Sequence, residues 1–239
     1  MRNRNVIEIA AGRGTLAGAQ LIESEFFSQP PDVPVLPETL LRLELSIGGS
    51  SISLHEVSKT LLSDMGAALK VFRLARAERV VSSGYPSRIE DCVSHLGIDA
   101  CIEAISGQVM TRSPRKTAVA GAWNHANSIA SVCSLWADMH SETIAPGEAY
   151  LVGLFHELGN LPGLLGWDRA AFGTNDARST GLRIATQCSL PRCVLEYFSE
   201  AKRPESVNRW VEIVEMAHHL VTLTTIERGL ERSSARAQK

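Results

Sequence analysis

The chain has no CxxC pair, and its five cysteines are odd in number and each lie inside a helix-like pattern. That usage excludes a disulfide framework and points to small buried thiols in a reducing compartment. Alternation of apolar and polar residues is nearly absent, which excludes a sheet-built fold. No apolar run approaches the length needed to cross a bilayer. Glu8 interrupts the apolar part of MRNRNVIEIAAG, so a secretory signal is not expected and the chain is expected in the cytoplasm. An excess of one charge is missing too. The 24 basic and 26 acidic side chains leave a formal net charge of -2, which argues against a dedicated nucleic-acid binder. The local basic groups (Arg112, Arg115 and Lys116, and the tail from Arg232 to Lys239) read as a solvated loop and a frayed terminus. There is no G-x-S-x-G elbow, and Gly12-Arg13-Gly14 follows no strand pattern, so a serine-hydrolase nucleophile and a dinucleotide fingerprint are both rejected.

What the chain does have is helical punctuation, on a length that can bury a core without disulfides or metal. Pro37 opens a helix whose apolar face is expected at Leu40, Leu41 and Leu45. Ser53 to Glu56 and Ser87 to Glu90 fit capping boxes, Asp64 fits an N-cap, and Gly97 fits a helix C-terminus. These signals predict a helical half over residues 34–108. A boundary is expected at Thr111 to Pro114, and a second half over 115–230. It opens with a long helix from Arg115 to His140, whose apolar stripe is read as Ala118, Ala122, His125, Ile129, Val132 and Trp136. Later helices are expected from Ala145-Pro146-Gly147 to His156, from Asn175 to Cys188, after Leu190-Pro191, and from Glu205 to Glu231. Residues 231–239 are expected to be a disordered tail. The fold class is all-α, in two helical subdomains, and the four tryptophans read as core anchors.

The stretch from Glu148 to Asn160, EAYLVGLFHELGN, sets His156 beside Glu157 at the end of an apolar helix. A neighbouring imidazole and carboxylate can hold a divalent ion. In the last helix Val211, Val214, His218 and Val221 share a face, so His218 is expected to point inward. His219 follows Glu215 by four residues and is expected to form a surface pair with it. His55 and His95 carry no partner spacing.

The order of VPVLPETLLRL, SISLHEVSKTLLSDMGAALKVFRLA, SRIEDCVSHLGIDACIEAI, WNHANSIASVCSLWA, EAYLVGLFHELGN and QCSLPRCVLEYF resembles the HDOD family over roughly Val33 to Thr225. These are bacterial signalling relatives of the HD metal-dependent phosphohydrolases. The resemblance implies an HDOD-like domain over residues 30–230 whose second half is an HD-like helical bundle. It also implies a noncatalytic regulatory role, alone or beside cyclic-dinucleotide and response-regulator domains. Active HD enzymes hold metal with an early His, an adjacent His-Asp pair and a later Asp. The resemblance carries these onto His125, His156 with Glu157, and His218. HELGN stands where HDxGK is usual, and a histidine stands where the last carboxylate is expected. The set therefore reads as a degenerate metal site. No cofactor and no stoichiometric metal are expected; a single transition ion on His125, His156 and Glu157 is the alternative.

The expected function is a cytoplasmic signalling module that acts by binding a protein partner, with neither membrane nor nucleic acid as partner. The alternative is an HD-type metal-dependent phosphohydrolase acting on a nucleotide or phosphodiester. A DNA-associated regulator is the least favoured class, because the charge is near neutral.

Overall fold

A computed structural model describes residues 32–47, 53–78, 87–107, 115–168, 176–199 and 208–237, with side chains followed as far as Thr224. The chain order is α1 (Pro37–Ile47), α2 (Leu54–Leu62), α3 (Met65–Ala77), α4 (Ile89–Leu96), α5 (Ile98–Ser106), α6 (Lys116–His140) and α7 (Pro146–Phe155). A 3-10 turn (Leu158–Asn160), α8 (Leu161–Leu165), α9 (Ala177–Gln187), α10 (Arg192–Phe198) and α11 (Arg209–Ala237) follow. No β-strand element occurs among the described residues, so the all-α reading holds. No helix among them is long and apolar enough to cross a membrane. The boundary expected at Thr111 to Pro114, the N-terminal Gly12-Arg13-Gly14 and Arg112 lie outside the described residues.

Several sequence signals act where they were read. Pro37 starts α1 and Pro146 starts α7, positions where the missing amide hydrogen costs no helix bond. Gly97 ends α4 and begins α5 at φ 82, a conformation that penalises any side chain. Two capping boxes do not form. Ser53 occupies the N-cap of α2, but its hydroxyl makes no capping bond; α4 begins one residue later than read, with Arg88 rather than Ser87 at its N-cap. The last helix is described from Arg209, runs past Glu231 and ends at Ala237; the start expected at Glu205 lies outside the described residues.

Asp64 is the N-cap of α3, and it also ties the two halves together. Its side chain is wholly buried. One oxygen accepts from Leu36 N (2.7 Å) and Thr39 Oγ1 (2.8 Å). The other accepts from Ala67 N (3.1 Å) and, 59 residues away in α6, from the Trp123 indole N–H (2.9 Å). Burial raises the Asp64 carboxyl above its ordinary range, while these four hydrogen bonds pull it back. Beside it, Asn127 Nδ2 donates to Ser63 O at 2.6 Å, a second link between the halves. Apolar packing agrees, because one continuous buried cluster runs from Val33 to Ala217.

The long helix α6 turns a different face inward from the one its periodicity indicates. Val119, Trp123, Ala126, Ala130, Cys133 and Ala137 are buried together with Ile129, whereas Ala118 is exposed and Ala122, His125, Val132 and Trp136 are half-buried. Small side chains choose the face. Ala130 and Cys133 let α7 come so close that a Cβ on Gly153 would lie 2.6 Å from Ala130 Cα. Gly153→Ala should therefore force α6 and α7 apart and cost about 2 kcal/mol, read from the urea midpoint; a neutral result would show that this approach is not tight. A similar reversal occurs in α1, which buries Thr39 and Leu43 and leaves Leu41 and Leu45 55% and 69% exposed. Trp123 and Trp210 are fully buried, and Trp136 and Trp167 pack against the core from its edge. All five cysteines are free and buried, and burial pushes their thiols up to between about 11 and about 12, well outside the reactive range.

Candidate metal centre

Three histidines from three helical elements meet on the face where α6, the end of α7 and α11 pack. His125 comes from the middle of α6, His156 is the C-cap of α7, and His218 lies on the inward face of α11. Each can offer a ring nitrogen, and these ligand atoms all lie within 4.8 Å of one another. The ring centroids are 5.5 Å apart for His125–His156, 5.1 Å for His125–His218 and 4.8 Å for His156–His218. His218 thus points inward, as its place on the helix face required.

His156 is the best-defined member. It is 8% exposed, and its Nδ1 lies 2.7 Å from the Gly153 carbonyl oxygen. Only an N–H can approach a carbonyl so closely, so Nδ1 carries the proton and Nε2 bears the free lone pair. That buried Nε2 has no hydrogen-bond partner. His156 thus satisfies a helix-end carbonyl with its neutral ring. Burial pushes its imidazolium down to about 4; the Gly153 carbonyl opposes this, and the His218 and His125 rings add to it. His218 is lowered too, by burial first and by His125 next. The ring at the heart of the cluster is therefore neutral at physiological pH.

Glu157 stands at the edge. Its Oε1 is 4.0 Å from His156 Nε2, and its side chain is about a third exposed. Among the described residues, no carboxylate joins the histidines in the mutually close set. The residues fit one transition ion on imidazole nitrogens better than a pair of ions sharing a carboxylate bridge. A cavity of about 210 Å³ adjoins the cluster, lined by His156, Gly159, Asn160, Arg178, Tyr197 and Phe198 among others. Its Arg178 is engaged in holding the end of α10: Nε donates to Phe198 O at 3.0 Å, and Nη2 donates to Tyr197 O and Ser199 O at 3.1 and 2.8 Å.

The remaining histidines play no part here. His55 and His95 are exposed. His219 is exposed as well, and its Nδ1 lies 2.8 Å from the backbone oxygen of Glu215, so the expected side-chain ion pair is replaced by a bond to the helix itself.

Comparison with known proteins puts this geometry in context. The HDOD domain model matches residues 33–182, a segment that holds His125, His156 and Glu157 but stops short of His218. The fold is similar to two crystal structures of the MmoQ response regulator from Methylococcus capsulatus str. Bath. For one the TM-score is 0.62 at 19% identity over 79% of this chain and 85% of that one. For the other, of fragment 20–298, the TM-score is 0.60 at 16% identity over 79% and 83%. An HDOD domain protein of unknown function from Geobacter sulfurreducens matches at 21% identity over 87% of this chain and 78% of that one, with a TM-score of 0.34. Among curated protein sequences, none matches this chain.

Proposed function

The chain belongs to the HDOD domain family, and from that premise we propose that it is a regulatory module of a signalling pathway that acts by binding a protein partner and turns over no substrate. The single observation that carries this reading is the composition of the centre. A phosphohydrolase of the two-ion kind needs hard carboxylate oxygens to neutralise its ions and to share between them. Here three imidazoles converge, and Glu157 stands 4.0 Å from one of them at the rim. A phosphoryl group would also need a cation beside it, and the arginine lining the adjoining cavity spends its Nε and Nη2 on backbone carbonyls.

The binding side of the proposal draws support from large apolar side chains left outside the core. Leu41 and Leu45 lie one turn apart on α1, and Leu135 and Met139, 59% and 65% exposed, do so on α6. The similar MmoQ structures are those of a response regulator. An assay of bis(p-nitrophenyl) phosphate and of a cyclic dinucleotide, with added Mn²⁺, tests the noncatalytic claim. Hydrolysis should not exceed that of His125→Ala; turnover that His125→Ala abolishes would make the chain an HD-type phosphohydrolase.

A further inference from the structure

We propose that a groove over α3, α4 and α5 is a docking surface for a short basic amphipathic helix of a partner protein. The proposal rests on the reading of the chain as a protein-binding module, and it names the surface and the partner's chemistry. The groove has a volume of about 550 Å³ and lies in the helical half that holds none of the three clustered histidines. Its floor is Leu74 of α3, Leu96 of α4, and Ala100 and Ala104 of α5, all half-buried. Neighbours of these residues on the same helices, Ala75, Val93, Cys101 and Ile105, are buried in the core. Close packing beneath the floor therefore fixes the trough before any partner arrives.

The shape suits a helix. Gly97, at φ 82, turns the chain sharply between α4 and α5. Ala100 and Ala104 stand one turn apart on α5, and their methyl groups rise little above the backbone. That leaves room for a ridge of larger side chains from a second helix. The nine residues of α5 span roughly 13 Å, enough to seat about two and a half turns. Charge then names the occupant. Glu78 and Glu103 are exposed on the rim. The lining residues of α3 and α4 belong to the ends of those helices, where the dipole is negative. His95 is the remaining lining residue, and even with its proton the two carboxylates keep the groove negative. No Lys or Arg is among the described residues that line it. An apolar floor under such a rim attracts Lys and Arg side chains that flank a Leu or Ala ridge, and it repels nucleic acid, anionic headgroups and acidic peptides.

Titration of the full chain into a fluorescein-labelled peptide of two Lys-Leu-Ala-Ala-Lys-Leu-Ala repeats tests the groove. The same peptide with Glu at every Lys position is its counterpart. The expected result is saturable binding of the basic peptide and none of the acidic one. In isotope-labelled protein, the amide shifts it causes should centre on Leu74, Leu96, Ala100 and Ala104. Glu78→Lys combined with Glu103→Lys, both at exposed positions, should weaken the basic peptide roughly tenfold and admit the acidic one. Asp138→Lys with Glu142→Lys makes the same change of net charge at exposed positions outside the groove lining, and should stay within about twofold of wild type. Raising the salt from about 0.05 M to about 0.5 M should weaken binding severalfold. No saturable binding, equal binding of the two peptides, shifts centred outside the groove, or equal losses in the two charge-reversed chains would each overturn the inference. Such a failure leaves the noncatalytic reading standing on its phosphodiester assay, whereas turnover in that assay would defeat the reading and leave the groove's binding intact.

Discussion

Replacing Asp64 with alanine is expected to cost about 4 kcal/mol or more of folding free energy, a large part of the ~5–15 kcal/mol that holds a typical domain together. The change strips the partner from four buried or half-buried donors at once: Leu36 N, Thr39 Oγ1, Ala67 N and Trp123 Nε1. Each stranded buried donor costs about 1–3 kcal/mol, and the lost helix cap adds about 1 more; local relaxation keeps the total below the plain sum. Because these donors come from both halves of the chain, the loss should appear as one cooperative transition with an unchanged urea slope, not as separate melting of one half. Asp64→Asn keeps one acceptor oxygen but turns an amide N–H₂ toward two of the donors, and should lie about midway. A loss below about 1 kcal/mol for the alanine variant would mean that the halves are not joined through this carboxylate.

The second large effect is on pH dependence. In the ion-free protein, lowering the pH from about 6.5 to about 4 should remove about 3 kcal/mol of stability through His156 alone. The sign follows from the two states. The folded-state imidazole takes a proton only near pH 4, because burial opposes the charge, while the unfolded one does so near 6.5. Above that window neither state is protonated and the full stability is present. Inside it only the unfolded chain gains a proton, so stability falls as the pH falls; below it the loss levels off. His218 is shifted in the same direction and steepens the decline. The Asp64 carboxyl, raised by burial, takes up a proton in the folded state first and returns part of the loss at the acid end. His156→Ala isolates the effect. It should cost about 1–3 kcal/mol at neutral pH, since the Gly153 carbonyl loses its partner, and should flatten the profile between pH 6.5 and 4. Parallel profiles for variant and wild type would show that His156 is not held neutral by burial.

The punctuation of this fold was legible in the sequence, and the faces of its helices were not. Proline, glycine and aspartate act through their own backbone chemistry, so Pro37, Asp64, Gly97 and Pro146 mark helix ends wherever the rest of the chain goes. Which side of α6 turns inward depends on what it meets. Apolar periodicity favoured the side carrying Ala118 and Trp136, but the structure buries the small residues that let Gly153 of α7 approach. That preference belongs to the pair of helices and cannot be read from either one. Leu41 and Leu45 mislead in the same way, because an i, i+4 leucine pair looks like a core face although Thr39 and Leu43 occupy it. At the centre, the order of motifs singled out His125, His156, Glu157 and His218, but not how they are arranged. That arrangement rests on contacts between distant residues: three rings within reach of one another, with Glu157 left at the rim. The Asp64–Trp123 bond had no sequence signal beyond the N-cap itself, because an indole 59 residues away leaves no local pattern.

Three imidazoles with no described carboxylate in their close set give this centre donors for a single ion at most, not for the paired ions of phosphoryl transfer. Native mass spectrometry of the full chain, after equilibration with Zn²⁺ and separately with Mn²⁺, tests that limit. At most one ion per folded chain and no retained manganese pair is the expected result. Two ions held together on one chain would contradict it.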